Sequence, residues 1–185
     1  MWLHGEQMEE NRPHDRIAGI EGAVAELRAE LVELLPRLRR FARVLARDVH
    51  DADDLVQTAI ERALAHATQL RADAPLAGWM FGILRNAWID EQRSRGRRGR
   101  VFAAAESGEQ VADPAHGAPL ETLAVQDAVA RLPQEQRLAV ALVLVEGLSY
   151  KEAAHIMEVP IGTLTSRLAR AREALQAMLG ERGGA

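Results

Sequence analysis

Residues 147–175 read GLSYKEAAHIMEVPIGTLTSRLARAREAL, and this stretch predicts two short helices joined by a tight turn. Ser149, followed three residues later by Glu152, has the form of a capping box, which opens a helix that runs to about Met157. Pro160 begins the next helix, because proline fits the first turn of a helix and not its middle. The second helix carries one buried stripe, made of Leu164, Leu168, Ala171 and Leu175. The pattern is that of a helix-turn-helix.

The exposed face of the second helix is made mainly of small, hydroxyl and charged side chains. The residues opposite the stripe are Gly162, Ser166, Ala169, Arg170 and Glu173, with Thr165 and Arg167 toward the edges. Such a face suits the major groove of DNA, because bulk would prevent close approach while Arg and Ser reach base edges or phosphates. An ordinary helical hairpin with a solvated face is the alternative, and the helix pattern alone leaves both interpretations open.

The composition of the 185 residues indicates an all-α protein. Hydrophobic residues make up 48% of the chain and aromatic residues only 4%, so the core is built mainly from Leu, Ala, Val and Ile. Alanine and leucine dominate, and no period-two alternation persists. The chain contains no cysteine, which excludes disulfides, thiolate zinc sites and a cysteine nucleophile, and which fits a reducing compartment.

Membrane and export signals are not evident in the sequence. No apolar run approaches the roughly 20 residues that are needed to span a bilayer. The N-terminal MWLHGEQMEENRPHDR is polar and acidic, whereas a signal peptide needs a basic start and an apolar stretch. We therefore expect a soluble, cytoplasmic protein that does not insert into a membrane.

The chain divides into two helical blocks. The first covers residues 21–100 and contains three helices; Pro36 predicts a kink or a restart in the first, Asp51 is a candidate cap of the second, and Pro75 stands near the start of the third. Residues 101–119 contain three acids and neither Lys nor Arg, which predicts an acidic, flexible linker. The second block covers residues 120–180. We expect residues 1–20 and 181–185 to be flexible tails.

Positive charge is concentrated at the end of the first block, where residues 85–100 read RNAWIDEQRSRGRRGR. The stretch contains six arginines and only two acidic residues, Asp90 and Glu91, so it carries a charge of about +4. The net charge of the whole chain is −4. A solvated helix end is the simpler explanation for an isolated charge run. The alternative is a surface that meets a nucleic-acid backbone.

Both blocks resemble bacterial sigma factors of the extracytoplasmic-function group. Residues 130–175 are similar to region 4 of that family in the LPxxxR opening, the SxxEAA helix start and the GTxxSRxxRAR recognition helix. The first block resembles region 2 of the family. Its three matching segments occur in the family's order and read LPRLRRFARVL, DADDLVQTAIERAL and GWMFGILRNAWIDEQRSRGRR. The resemblance covers roughly residues 30–178. It implies a dissociable specificity subunit of RNA polymerase that is not an enzyme and that needs no cofactor, metal or small-molecule substrate.

The resemblance gives roles to the residues of region 2. Asp54 and Gln57 of the DLVQ motif would face the clamp helices of the largest catalytic polymerase subunit, while Leu55 belongs to the core. The residues expected at the −10 promoter element are Asn86, Asp90, Arg93, Arg95 and Arg97. The amide of Asn86 would pair with the edge of a splayed base, and the arginines would contact phosphates. Trp79 and Trp88 could stack on a base, although tryptophan in such a position is more often a core residue.

The same resemblance places region 4 at the −35 promoter element. The residues expected there are Thr163, Thr165, Ser166, Arg167 and Arg170. Thr165 and Ala169 stand where many relatives carry a larger or charged side chain, so base reading would depend on Ser166, Arg167 and Arg170. Free protein is expected to bind promoter duplex weakly, because core polymerase has to fix the spacing of the two regions across a flexible linker.

The family implies three partners: core RNA polymerase, promoter DNA and an anti-sigma factor. The chief rival is a sigma-like decoy that binds an anti-sigma factor in place of promoters; such decoys usually carry a fused receiver domain and degrade their DNA-contacting residues, and neither feature is found in these 185 residues. A stand-alone helix-turn-helix regulator would leave the first block unexplained. A metal enzyme would need a ligand cluster, and the one candidate, His50 with Asp51, Asp53 and Asp54, is explained better by helix capping.

Overall fold

The computed structural model describes residues 13–46, 48–70, 75–102 and 120–180, which are helical almost throughout. The first unit contains α1 (Pro13–Leu45), α2 (Val49–Ala65), a 3-10 turn (Ala67–Gln69) and α3 (Leu76–Phe102). The second unit contains α4 (Leu120–Arg131), α5 (Gln134–Val140), a π-helical turn (Ala141–Val145), α6 (Tyr150–Met157) and α7 (Ile161–Gly180). The predicted all-α class with two helical domains is confirmed. Most of the predicted linker, residues 103–119, and the tails at 1–12 and 181–185 lie outside the described residues.

Helix α1 is longer than the sequence predicts. It begins at Pro13, whereas the sequence pattern places its start near Glu21. The restart considered at Pro36 does not occur, since α1 continues through this residue to Leu45. Pro36 is exposed, while Leu34 and Leu38 on either side of it are buried. Packing of these leucines offsets the hydrogen bond that proline cannot donate.

Asp48, rather than Asp51, caps α2. The Asp48 Oδ1 accepts hydrogen bonds from the backbone N–H groups of His50 at 2.7 Å and of Asp51 at 3.2 Å. The cap predicted at Asp51 is therefore wrong, because Asp48 already satisfies free N–H groups of the helix start. Asp51 lies instead in the first turn of α2, where its side chain reaches α3. Pro75 directly precedes α3, as predicted.

The predicted helix-turn-helix is present as α6 and α7. The Ser149 Oγ accepts from the Glu152 N–H at 3.2 Å, and the Glu152 carboxylate accepts from the Ser149 N–H at 2.8 Å, which confirms the capping box. Glu158 ends α6 with a left-handed φ of 55° and turns the chain toward α7. The predicted stripe faces inward: Leu164, Leu168 and Ala171 are buried and Leu175 is half-buried.

The two units pack against each other around one continuous hydrophobic core. Helix α3 of the first unit contacts α6 of the second, and α1 contacts α4, α5 and the π-helical turn. Within the first unit, the rings of Phe41 and Phe81 meet edge to face with their centroids 5.0 Å apart. Trp88 is buried in this core, whereas Trp79 is half-buried. In the described ranges, no helix is both long and apolar enough to cross a membrane.

Candidate nucleic-acid interface

The outward face of α7 carries three of the five residues predicted at the −35 element: Thr165, Ser166 and Arg170 are exposed. The Thr165 Oγ1 donates to the Ile161 carbonyl at 2.9 Å, and the Ser166 Oγ donates to the Thr163 carbonyl at 2.9 Å. Because the helix backbone takes their protons, both hydroxyl oxygens keep lone pairs that can accept from a base amino group. The face thus combines two acceptors with the donors of one guanidinium group.

The other two residues predicted at the −35 element, Thr163 and Arg167, are half-buried. The Arg167 Nη1 lies 2.8 Å from the Glu135 Oε2 of α5. This ion pair joins α5 to α7 inside the second unit. Arg167 would therefore have to exchange Glu135 for a base or a phosphate before it could take part in DNA binding.

Asn86 is exposed on α3 and lines a cavity of about 180 Å³. The remaining lining residues belong to α2, to the turn that follows it and to α3: Arg62, His66, Gln69, Trp79 and Ile83. An indole beside an amide, an imidazole and a guanidinium offers both a stacking surface and hydrogen-bonding groups for a nucleobase. From the sequence, Asn86 is expected to meet a base and Trp79 is an available stacking residue, but the cavity itself is not predicted. The polar residues from α2 and the turn are not predicted either, because only the fold brings them beside Asn86.

Two of the residues predicted at the −10 element form ion pairs with α2. The Arg62 Nη1 lies 3.0 Å from the Asp90 Oδ2, and the Arg95 Nη2 lies 2.7 Å from the Asp51 Oδ1. Arg95 also donates from Nε to the Glu91 Oε1 at 2.8 Å. These hydrogen bonds, to Asp51 first and then to Glu91, raise the pKa of Arg95 above its ordinary value.

The arginines of the basic stretch are thus not equivalent. Arg93 and Arg97 are exposed on α3, whereas Arg95 is held between two carboxylates. To contact a phosphate, Arg95 would first have to leave Asp51 and Glu91. The described contacts show no such ion pair for Arg93 or Arg97. Arg95 positions the end of α3 against the start of α2 in this structure.

The two residues predicted to face core polymerase, Asp54 and Gln57, are exposed on α2, and Leu55 between them is buried as expected. The Gln57 Nε2 donates to the Glu61 Oε1 at 3.0 Å, one turn further along the helix. An acceptor carboxylate and an amide therefore lie on one exposed face of α2. This face is compatible with the role that the sequence resemblance gives it.

An apolar groove between α1 and α2 lies further along the same helix. It has a volume of about 310 Å³ and is lined by Arg28, Leu31, Val32, Leu35, Ile60 and Leu64. Val32 is 62% exposed, and it lies beside the other apolar residues of the groove. The helix patterns of the sequence do not by themselves predict this groove. The available signal was that Val32, Ile60 and Leu64 widen the apolar faces of their helices beyond what a core stripe needs.

The cluster of His50, Asp51, Asp53 and Asp54 does not have the arrangement of a metal centre. Within the described part of the chain, no three His, Cys, Asp or Glu side chains lie close enough together to hold a metal ion. Asp51 is engaged by Arg95, and the cap is formed by Asp48. The exposed Asp54 remains part of the α2 face described above.

Known families match both units of the chain. Residues 31–85 match the family model for the Sigma2 domain of PhyR, and residues 122–175 match the model for sigma-70, region 4. The chain is 37% identical over 153 residues to the ECF RNA polymerase sigma factor EcfG of Rhodopseudomonas palustris. The aligned region covers 83% of this chain and 84% of the relative. It is 41% identical over 145 residues to the ECF RNA polymerase sigma factor SigM of Mycobacterium tuberculosis, which covers 78% and 72% of the two chains.

The fold also matches a solved structure. The sigma factor RpoE of Bartonella quintana, in complex with the anti-sigma factor NepR, superposes with a TM-score of 0.76 and is 34% identical. The match covers 84% of this chain and 97% of the other. Sequence similarity and fold therefore agree over both units.

Proposed function

This chain belongs to the extracytoplasmic-function (ECF) sigma factors of RNA polymerase, and we propose how its residues direct core polymerase to promoters. The observation that carries the proposal is the outward face of α7, the second helix of a helix-turn-helix. Gly162, Thr165, Ser166 and Ala169 are exposed and short, and as far as Glu173 the longer exposed side chains of the helix are those of Ile161 at its start and of Arg170, Arg172 and Glu173 further along. That combination permits close approach to the floor of the major groove.

At the −35 element, Ser166 and Arg170 are proposed to read base edges. An arginine donates two hydrogen bonds to a guanine, and the Ser166 hydroxyl, which donates its proton to the Thr163 carbonyl, can accept from a base amino group. Thr163 and Thr165 would contact the adjacent backbone. Arg167 would join them only after release from Glu135, so its contribution depends on the position of α5 relative to DNA.

At the −10 element, the cavity beside Asn86 is proposed to receive an unstacked base. Its lining supports this role, because Trp79 can stack on a base while Asn86 and Arg62 offer hydrogen-bonding groups to its edge. Arg93 and Arg97, which are exposed, would hold the phosphates on either side. Asp90 would act indirectly, since it is paired with Arg62 and fixes that residue beside the cavity.

Core polymerase is proposed to bind the exposed face of α2 and the apolar groove next to it. Asp54 and Gln57 offer polar contacts on this face, and Ile60 and Leu64 extend it into the groove. A polar patch continuous with an apolar groove is the usual composition of a protein interface. In such an interface the polar patch would fix the orientation of the partner, and the apolar groove would contribute most of the affinity.

A cytoplasmic location and an anti-sigma factor complete the proposal. Transcription takes place where the polymerase and the DNA are, so we place the protein in the cytoplasm and assign it no catalytic activity of its own. RpoE of Bartonella quintana, which matches both units, is bound to an anti-sigma factor. We propose that the present chain is likewise held inactive by a protein of that class.

The alternative is a sigma-like decoy that binds an anti-sigma factor and no promoter. The exposed arginines of α3 and α7 favour a sigma factor over a decoy, because a decoy has no use for phosphate or base contacts. The relatives named above are sigma factors over more than three quarters of this chain. The decoy would bind an anti-sigma factor and would give no transcripts with core polymerase.

Run-off transcription tests the proposal. The protein is combined with bacterial core polymerase and a pool of promoter fragments, and transcripts that require both proteins are mapped. We expect a discrete set of start sites, whose alignment gives the −10 and −35 sequences. Asn86→Ala should reduce these transcripts, whereas Asn86→Asp keeps the size of the side chain and tests whether the amide donor is needed. Stable binding to core without any transcripts would contradict the DNA-reading roles.

A further inference from the structure

One charged side chain is buried in the described part of the chain, that of Glu146 at the end of the π-helical turn. Two arginines of α1 enclose it. Arg40 donates from Nε to Oε1 at 2.9 Å and from Nη2 to Oε2 at 3.1 Å. Arg37 donates from Nε to Oε2 at 3.1 Å and from Nη2 to the Glu146 carbonyl at 3.3 Å. These three residues, called here the Glu146 clasp, join the two units through four hydrogen bonds.

Each half of the clasp is fixed by its own unit. The N–H of Glu146 donates to the Ala141 carbonyl at 3.0 Å, which is the hydrogen-bond spacing of a π-helix. Gly147 then adopts a φ of +70°, a left-handed conformation that glycine takes without strain. On the other side, the Arg37 guanidinium lies 5.3 Å from the ring centre of Phe81 on α3. The carboxylate and the guanidinium groups are therefore presented in defined positions.

Two further polar contacts join the units in the described residues. Arg137 of α5 donates to the carbonyl of Leu45, at the end of α1, at 3.0 Å. Arg85 of α3 lies 3.3 Å from the Glu158 carboxylate, whose side chain is 73% exposed, so water screens this pair. The Glu146 side chain, by contrast, is fully buried. The clasp is thus a contact between the units in which a fully buried carboxylate is held by two arginines.

The closed arrangement cannot place both units on one promoter. Centres of −10 and −35 elements lie about 25 base pairs apart, or roughly 85 Å along B-form DNA. The longest helix of the closed arrangement, α1 with 33 residues, spans only about 50 Å. The 17 residues between Phe102 and Leu120 can extend to about 60 Å, which allows the units to separate. Promoter binding through both regions therefore requires the clasp to open.

We infer that the Glu146 clasp is an autoinhibitory contact, which keeps the free protein closed until core polymerase separates the units. The inference rests on the proposed function, because promoter reading is what closure prevents. Opening transfers the carboxylate and both guanidinium groups to water together, so no charge stays buried without a partner. A reversible contact of this kind can be broken by a partner that binds only the open form.

The substitution Glu146→Gln tests the clasp with little change in side-chain size. A neutral amide cannot replace the carboxylate, because its NH₂ group faces arginine donors where acceptors are needed. The arginines can remain hydrated, since the Arg37 and Arg40 side chains are 38% and 51% exposed. The matched control is Arg131→Gln, which breaks the exposed ion pair between Arg131 and Asp127 within α4.

The distance between the units can be followed with dyes, because the chain has no cysteine of its own. Cysteines at the exposed positions Ala65 and Gln176 place one dye on each unit. We expect Glu146→Gln to raise the open population about tenfold and to tighten binding to core polymerase by a similar factor. Arg131→Gln should change neither quantity. Circular dichroism checks that both variants keep their helices.

Two outcomes would contradict the inference, and a third would require a different variant. Unchanged energy transfer in Glu146→Gln would overturn the clasp. Separated dyes with unchanged affinity for core would overturn its gating role. If Glu146→Gln lost its helices, Arg40→Gln would decide instead, since it removes two hydrogen bonds to Glu146 at a half-exposed position. The dye measurement uses neither polymerase nor DNA, so it remains decisive even if the wild-type chain failed to bind core and the proposed function were wrong.

Discussion

Arg95 of α3 and Asp51 of α2 are joined by a 2.7 Å ion pair that spans the interface between the two helices. Arg95 is also one of the arginines expected to meet promoter phosphates. A single guanidinium group thus has two competing partners, a carboxylate of its own protein and a phosphate of DNA. The pair is partly exposed, so solvent weakens it and exchange between the partners is feasible.

This competition predicts the effect of Asp51→Asn. Removing the Asp51 carboxylate leaves Glu91 as the carboxylate that holds Arg95 and frees its Nη2 for a phosphate, so holoenzyme should bind a −10 fragment about two- to fivefold more tightly at low salt. The steeper decline of affinity with salt concentration would report the additional phosphate contact. Asp53→Asn, an exposed neighbour on the same helix, is the control and should have a smaller effect. Equal effects of the two substitutions would show that only net charge matters.

Arg170 and Glu173 lie on the same exposed face of α7. Substituting each of them by alanine distinguishes base reading from a general effect of charge. If Arg170 reads a base edge, Arg170→Ala should lower transcription from promoters that need the −35 element by roughly tenfold or more. It should also relax the preference at one base position, which transcription from a randomised −35 library would detect. Glu173→Ala should not lower transcription. A uniform loss across all sequences would identify Arg170 as a phosphate contact instead.

The groove between α1 and α2 can be tested at its most exposed apolar residue. Val32→Lys should weaken binding to core polymerase by roughly tenfold, because it places a charge in an apolar contact and adds repulsion with Arg28. Val125→Lys is a matched control, since Val125 is 46% exposed on α4 in the other unit. Affinity titrations with labelled core would distinguish them. Equal affinities for both variants would remove the groove from the proposed interface.

The capping box at the start of α6 predicts a pH-dependent stability. Hydrogen bonds from Ser149 lower the pKa of Glu152 below its ordinary value of 4.5. Because the pKa of Glu152 is lower in the folded state than in the unfolded chain, ionised Glu152 stabilises the protein at pH values above 4.5. This stabilisation is lost as the pH falls through the lowered pKa of the folded state. Ser149→Ala should lower the Tm by roughly 2–4 °C at pH 7, and the difference should shrink below pH 4. A difference independent of pH would show that Glu152 does not contribute through its charge.

Local patterns predicted the fold where the determining contacts are close in sequence. Ser149 and Glu152 are three residues apart, and the stripe on α7 follows a single helix, so both could be read directly. The cap of α2 was placed at Asp51 because several aspartates there are chemically equivalent candidates. Only the backbone geometry distinguishes Asp48, whose side chain meets the free N–H groups.

Contacts between distant segments were not predictable in the same way. Nothing local marks Glu146 as buried, because its burial depends on arginines of α1. The sequence predicts Asn86 at the −10 element but not the cavity beside it, since Arg62 and His66 come from an earlier helix and its cap. The assignment of Asn86 and Arg170 to DNA still rests on family resemblance and exposure, and the experiments above address both residues.

The residues of the Glu146 clasp are separated by 106 and 109 positions in the chain. The two units therefore do not behave as interchangeable modules. A chimera that joined this first unit to the second unit of a relative would keep every local helix signal, yet it would rebuild the clasp only if the graft supplied an acidic residue at the end of an equivalent π-helical turn. A substitution at Glu146 is therefore expected to change which side chains are tolerated at Arg37 and Arg40, more than a hundred positions earlier in the chain.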